Sequence, residues 1–215
     1  MKQTKLWMSP QEYLDQERLA TTKSEYFNGE VYALAGASPR HTAIAANVIA
    51  ALHARFKGRP CTVHTGDLRV KVSPTGLYTY PDVVVVCGQP KFDDAQKDTL
   101  LNPTLIVEVL SESTEAYDRG RKFDHYRRIE SLTDYVLVSQ ESALIEHRSR
   151  QSANKWLVSF YMGLKTVVPL PTLDCELPMT EVYDKIDWPD EDSANGWMRA
   201  VKEPTEEYQV EPTAN

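Results

Sequence analysis

The chain has 215 residues, 41% of them hydrophobic and 26% charged, which is the composition of a globular protein. It contains no apolar run of roughly 20 residues and no long apolar N-terminal segment. We therefore expect a cytoplasmic protein without a membrane partner. Three scattered cysteines without a CxxC pair argue against a disulfide framework or a zinc cluster and favour buried free thiols. The net charge of −7 lies entirely in residues 181–215, which carry ten acids and three bases, so residues 1–180 are neutral and can present a local basic face to phosphates.

The N-terminal third contains two helix starts and one hairpin signal. Ser9, a proline and Glu12 predict a capped helix that runs to about Ala20. Asn28-Gly29 lies between two β-prone runs and predicts the tight turn of an N-terminal β-hairpin. A second helix is predicted from Ser38 to Gly58, because its apolar residues follow helical spacing. These residues are Ile44, Val48, Ala51, Leu52 and Phe56.

The middle of the chain predicts strands, then one helix, then further strands. The first strand segments are CTVHTG, LRVKV, PDVVVVCG and TLIVEVL, of which the last two are almost entirely aliphatic. Such runs are typical of strands covered on both faces, as in a central sheet flanked by helices. Residues 114–130 predict a helix, and DYVLVS, ALIEHRS and KWLVSFY predict strands. We therefore expect one domain over residues 1–183 and a flexible acidic tail over 184–215.

Two carboxylates stand in or beside the aliphatic strands. Alternation along TLIVEVL puts Glu108 on the same face as Ile106 and Leu110, so this acid lies among apolar neighbours. Asp82 opens the other aliphatic strand. Burying a carboxylate costs several kcal/mol unless it is paired, and two neighbouring carboxylates repel each other. A hard divalent cation, Mg²⁺ or Mn²⁺, would remove that repulsion, so the pair is interpreted as a metal site.

The predicted helix after Glu108 supplies a cation. Asp118, Lys122, Tyr126 and Ile129 share one helical face, and the two apolar members indicate that this face turns inward. Lys122 would then point at the sheet and could stabilise charge that develops on a phosphate. Four arginines on the same segment could contact a phosphate backbone. They are Arg119, Arg121, Arg127 and Arg128.

From about Trp7 to Tyr183 the sequence resembles the Uma-type restriction endonucleases, a branch of the PD-(D/E)XK nuclease superfamily. The segments that carry this resemblance are EYFNGEVYALAGASPRH, YPDVVVV, LIVEVLSEST and YDRGRKFDHYRRIESLTDYVLVSQ. Leu110 stands where the superfamily motif has lysine, and Lys122 resembles the lysine that some branches supply from the next helix. Val136 and Ser139 also differ from the family pattern, at positions outside the metal site.

The resemblance implies a restriction-endonuclease-like fold of α/β (α+β) class, with a mixed central sheet flanked by helices. It implies hydrolysis of DNA phosphodiester bonds by metal-activated water, with Asp82 and Glu108 as metal ligands, the Val109 carbonyl completing the shell and Lys122 assisting. Glu30 and His41 lie in matching segments and are secondary catalytic candidates. Many such nucleases act in pairs, so a homodimer is also expected.

The alternative hypothesis is a nuclease fold with weak or lost catalysis that binds DNA or protein. In that case the acidic tail binds a basic partner or masks the site by imitating nucleic acid. Serine hydrolase, zincin and nucleotide-binding functions are not favoured, because the sequence contains no GxSxG, HExxH, GxxxxGK[ST] or GxGxxG motif.

Overall fold

The computed structural model describes residues 7–188. The helices are α1 (Pro10–Glu17), α2 (Pro39–Phe56), α3 (Glu115–Tyr117), α4 (Phe123–Tyr126) and α5 (Met179–Val182). A π-helical segment, Asp118–Lys122, joins α3 to α4, and a 3₁₀ turn spans Pro171–Leu173. The strands are β1 (Ser24–Phe27), β2 (Glu30–Ala33), β3 (Cys61–Thr65), β4 (Arg69–Val72), β5 (Leu77–Thr79), β6 (Val83–Cys87), β7 (Thr99–Leu100), β8 (Leu105–Val109), β9 (Asp134–Val138), β10 (Leu144–Ser152), β11 (Lys155–Met162), β12 (Val167–Leu170) and β13 (Cys175–Pro178).

The predicted N-terminal elements are confirmed, with one change of boundary. The Ser9 hydroxyl accepts from the Glu12 amide and the Glu12 carboxylate accepts from the Ser9 amide, which is the reciprocal cap that starts α1. This helix ends at Glu17 rather than near Ala20. Asn28 and Gly29 both take positive φ angles, 50° and 82°, so the hairpin of β1 and β2 closes through the predicted tight turn.

The central sheet has six strands in the order β11-β10-β9-β8-β6-β3. Strands β8 and β9 run parallel and the other neighbours run antiparallel, so the sheet is mixed as predicted. Alternation along β8 sends Leu105, Val107 and Val109 to one core, which they share with α2, α5, β12 and β13. Ile106 and Leu110 enter a second core on the opposite face of the sheet.

A smaller sheet covers that opposite face. Its five strands follow the order β2-β1-β5-β4-β7, and Val70, Val72 and Leu77 of this sheet pack in the second core. The predicted strand LRVKV therefore belongs to the smaller sheet and not to the central one. The segment from α3 to α4 lies on the same side, with Tyr126 fully buried in the second core. A side chain from Glu108 thus points into the space between the central sheet, the smaller sheet and the α3–α4 segment.

The expectation of free thiols is wrong for two of the three cysteines. Cys61 in β3 and Cys87 in β6 form a disulfide, whereas Cys175 is free. The physical reason is the antiparallel register of the two strands, which sets these cysteines directly opposite each other. Spacing along the chain, 26 residues, gave no sign of this pairing.

The chain continues to pack beyond α5. Ile186 and Trp188 contact the first core, and the Trp188 ring lies 5.2 Å from that of Tyr183. Apart from residues 184–188, the predicted tail lies outside the described residues. Within residues 7–188, no helix is long and apolar enough to cross a membrane.

We predict that reducing the Cys61–Cys87 bond lowers the free energy of unfolding by about 3 kcal/mol. The bond joins residues that are 26 positions apart, so it restricts the conformations of the unfolded chain. Urea unfolding with and without dithiothreitol measures this difference. The Cys175→Ser variant is the control and should show the same loss. Equal free energies under both conditions would show that the bond does not constrain the protein in solution.

Candidate active site

A buried contact between the Glu108 carboxyl and the Lys122 ammonium forms the centre of the candidate site. Glu108 is 3% exposed and Lys122 is 6% exposed. The Lys122 ammonium lies 2.9 Å from Glu108 Oε1, and the Tyr126 hydroxyl donates to the same oxygen at 2.9 Å. Strand β8 and the α3–α4 segment therefore meet through one carboxylate. The inward orientation that helical spacing predicted for Lys122 and Tyr126 is observed.

The π-helical segment sets where the lysine lies. Asp118 and Lys122 are the buried residues of this segment, and their charged groups are 3.3 Å apart. Tyr135 of β9 donates its hydroxyl to the Asp118 carbonyl at 3.0 Å, which fixes the start of the segment to the central sheet. Sequence periodicity predicted one regular helix over residues 114–130, whereas the helical backbone ends at Tyr126 and contains this wider turn. π-helical turns are rare in proteins, and those that occur are often found at functional sites.

Two arginines anchor the outer side of the same segment. Arg119 and Arg148 both contact the buried carboxylate of Glu146 on β10. Arg148 also donates to the Arg119 carbonyl at 2.8 Å and lies over the Phe123 ring at 4.4 Å. Of the four arginines predicted to contact phosphate, Arg119 is thus partly engaged within the protein, while Arg121, Arg127 and Arg128 are exposed.

Asp82 directly precedes β6, beside the strand that carries Glu108. Val83 pairs with Val107, and continuing this antiparallel register by one residue sets Asp82 against Glu108. His41 Nε2 lies 2.9 Å from Asp82 Oδ1, and the Val109 amide donates to Asp82 Oδ2 at 2.7 Å. His41 is positioned because Ser38 caps α2 and accepts from the His41 amide. The structure therefore brings five of the six predicted site residues into one region. They are His41, Asp82, Glu108, Val109 and Lys122.

Glu25 is a member of this cluster that the sequence analysis missed. It is 5% exposed, and its Oε1 lies 3.5 Å from the Lys122 ammonium. Thr79 donates to Oε1, and the Tyr117 hydroxyl donates to Oε2 at 3.1 Å. Its signal in the sequence was weaker than that of Glu108, because Glu25 lies between a serine and the aromatic pair Tyr26-Phe27.

Glu30, the predicted hairpin candidate, lies in β2 at the outer edge of the smaller sheet. It accepts a hydrogen bond from the Tyr32 hydroxyl at 2.5 Å. The hairpin residue that contacts Lys122 is Glu25, on the neighbouring strand β1.

The cluster contains more acid than base. Burial raises the pKa of Glu108 to about 8; Lys122 opposes this shift, while Asp118 and Asp82 add to it. Burial also raises the pKa of Asp118. Burial alone would lower the pKa of Lys122, but the surrounding carboxylates outweigh it and raise that pKa well above its usual value. Lys122 therefore stays charged, and three carboxyl groups contact its single ammonium.

The donor set fits a hard divalent cation. Asp82 and Glu108 offer carboxylate oxygens, and both described contacts of Glu108 end on Oε1, so Oε2 can face a cation. Within residues 7–188, no three side chains of the His, Cys, Asp and Glu types form a ready ligand set. A cation here would take further ligands from a backbone carbonyl and water, as Mg²⁺ commonly does.

A family model, Uma2, described as "Putative restriction endonuclease", matches residues 10–180 of this chain. Two similar curated proteins come from Synechocystis sp. (strain ATCC 27184 / PCC 6803 / Kazusa), and both are named as uncharacterised. The protein sll1609 is 37% identical over 152 residues, which cover 71% of this chain and 86% of the relative. The protein slr1290 is 39% identical over 156 residues, which cover 73% and 81%.

A solved structure shows the same fold. It is a crystal structure titled as a putative nuclease belonging to DUF820, from Anabaena variabilis ATCC 29413. The match has a TM-score of 0.64 at 16% identity and covers 79% of this chain and 96% of that chain. The predicted restriction-endonuclease-like fold, with a mixed sheet and few helices, is confirmed.

We predict that the stability of the wild-type protein relative to Glu108→Gln falls as pH rises from about 4.5 to about 8 and then stays constant. Across this window the unfolded chain releases the Glu108 proton while the folded protein retains it, because the folded pKa is raised. Urea unfolding in EDTA from pH 5 to 9 measures the difference.

Glu112→Gln provides the matched control, because the Glu112 side chain is exposed and lies outside the buried cluster. A flat difference between wild type and Glu108→Gln would show that Glu108 ionises normally in the folded protein.

Proposed function

Because the chain belongs to the Uma2 family, described as "Putative restriction endonuclease", we propose that it is a metal-dependent endodeoxyribonuclease that hydrolyses DNA phosphodiester bonds. Family membership supports a nuclease-type function; the metal and the residue roles are the further content of the proposal. The observation that carries it is the excess of acid around Lys122. Glu25, Glu108 and Asp118 lie within 3.5 Å of the Lys122 ammonium. Asp82 stands beside Glu108, and a divalent cation would balance this excess of acid.

In this proposal Asp82 and Glu108 hold Mg²⁺ or Mn²⁺, together with the backbone carbonyl of Val109. When bound, the cation would activate water and offset charge on the phosphate. His41 orients Asp82 through its 2.9 Å contact, and Tyr126 orients Glu108. Glu30 remains a secondary candidate.

Lys122 has a separate role, which is to stabilise negative charge on the scissile phosphate. Its ammonium reaches Glu108 at 2.9 Å and Asp118 at 3.3 Å, so its position is fixed before substrate binds. A charge held in place in a buried site costs little reorganisation during the reaction. Tyr117, whose ring lies 5.9 Å from the ammonium, closes another side of this position.

DNA is the proposed partner, and the exposed arginines that follow α4 in the chain would contact its backbone. Arg127 and Arg128 line an open cleft together with Arg150. Arg150 donates to the carbonyls of Leu132, Ile129 and Arg127, so it holds the wall of the cleft while the other two arginines face solvent. Backbone contacts of this kind give affinity without reading sequence.

We predict that Asp82→Ala and Lys122→Met each reduce DNA cleavage in Mg²⁺ or Mn²⁺ by about 100-fold or more, because each removes a fixed charge at the reacting phosphate. EDTA should abolish cleavage. Rates on supercoiled plasmid measure the effect. Lys71→Met serves as the control, because Lys71 is a partly buried lysine whose salt bridge is to Asp93.

Cleavage that survives both substitutions would come from a contaminant. A wild-type protein that binds DNA in the presence of Mg²⁺ but does not cut it would support the alternative, a nuclease fold that acts as a binding module. That alternative draws on the fact that both Asp82 oxygens already accept hydrogen bonds within the protein.

For the C-terminal segment we propose that it masks the site from DNA or binds a basic partner. Residues 189–215 carry seven acids and two bases. We predict that a chain ending at Trp188 binds DNA more tightly at low salt, because like charge is removed, and that the gain disappears at high salt. Fluorescence anisotropy measures both. A full-length variant with the seven acids changed to amides should match the shortened chain, and unchanged affinity in both would exclude masking.

A further inference from the structure

Strand β11 forms an open edge of the central sheet. Among residues 7–188 it pairs with β10 on one side only, because it is the last strand in the sheet order. Four of its apolar side chains are between 38% and 56% exposed. They are Leu157, Val158, Phe160 and Met162. Val167, in the next strand along the chain, is also 41% exposed.

This edge lacks the features that keep sheet edges apart. Natural edge strands are usually short or carry charges, proline or a bulge directed outward. Strand β11 has eight residues, and the stretch from Trp156 to Met162 contains no charge and no proline. The irregularity in its pairing lies at the Arg150–Ser152 end of β10, outside this stretch. The free edge is therefore able to pair with another strand along most of its length.

We propose that β11 is a dimerisation edge, which pairs antiparallel with β11 of a second copy of this chain to join two central sheets. An antiparallel pair of identical strands is self-complementary and closes by a two-fold axis, so it stops at a dimer. Uncharged edges meet without like-charge repulsion. This surface is separate from the proposed nuclease chemistry and does not depend on it.

Other occupants suit this edge less well. The C-terminal segment has an excess of five acids and would gain no charge partner along Trp156 to Met162. A strongly charged protein partner would likewise find no side chain of opposite charge along Trp156 to Met162. A second copy instead supplies matching backbone groups and matching apolar side chains over the same length.

The two faces of β11 also agree with a dimer in which both candidate active sites lie on the same side of the joined sheet. Trp156 packs in the second core, on the face of the sheet that carries Glu108, and Phe160 lies on this face by alternation. A register centred on Val158 sets Phe160 of each copy opposite Trp156 of the other, an aromatic cross-strand pair. In this register the two Glu108-bearing faces point to the same side of the joined sheet.

Sedimentation equilibrium of the full-length chain tests the proposal. We expect a monomer–dimer equilibrium, and we expect Phe160→Lys and Leu157→Lys each to raise the dimer dissociation constant by about tenfold or more, because each places a charge in the uncharged paired edge, opposite Trp156 or Ser159 of the other copy. Val31→Lys is the matched control, since Val31 is a 43% exposed residue on the edge of the other sheet, and it should leave the constant unchanged.

Amide hydrogen exchange of the unmodified protein gives a second measurement that needs no variant. Exchange in residues 155–162 should slow when the concentration is raised above the dissociation constant, while β2 should not change. A chain that stays monomeric at all concentrations, or a dimer that keeps its affinity in both lysine variants and shows no protection of β11, would overturn the proposal.

Discussion

The buried pair of Glu108 and Lys122 is the interaction on which the rest of the site depends. The Lys122 charge would be costly in the apolar space between the two sheets, and the Glu108 carboxyl stabilises it. The 2.9 Å contact therefore fixes strand β8 against the α3–α4 segment. Tyr126 shares the same oxygen, so a helical residue that packs in the core also holds the carboxylate in place. Tyr126 therefore contributes both to the packing of the second core and to the position of the Glu108 carboxyl.

The central sheet supplies the precision that this pair requires. Strands β6 and β8 are covered on both faces, so neither can slide without exposing aliphatic side chains to water. Their antiparallel register sets Asp82 against Glu108, and the Val109 amide binds Asp82 directly. The smaller sheet covers the other side of this space and contributes Glu25 to the cluster. A site built from three separate elements is thereby held by the two cores of the domain.

Local patterns in the sequence predicted a large part of this arrangement. Alternation placed Glu108 on its correct face, the Asn28-Gly29 turn and the Ser9 cap were visible in the residues, and helical spacing turned Lys122 inward. Features that depend on distant pairing were missed, including the Cys61–Cys87 bond and the assignment of LRVKV to a second sheet. The π turn at residues 118–122 was missed because a single inserted position leaves the i, i+4 pattern of Asp118 and Lys122 intact.

The composition of the cluster is an argument that it serves function and not stability. Replacing a buried ion pair by apolar residues of similar volume is often neutral or stabilising, so a fold selected for stability alone has no need of it. Here the departure is larger, because three carboxyl groups contact one lysine, Asp82 stands beside Glu108, and burial raises the pKa of Glu108 and Asp118. Perturbed acids gathered beside a fixed cation are typical of catalytic sites, where the missing positive charge arrives with a ligand. The same imbalance that makes the unliganded site costly would make it selective for a small divalent cation.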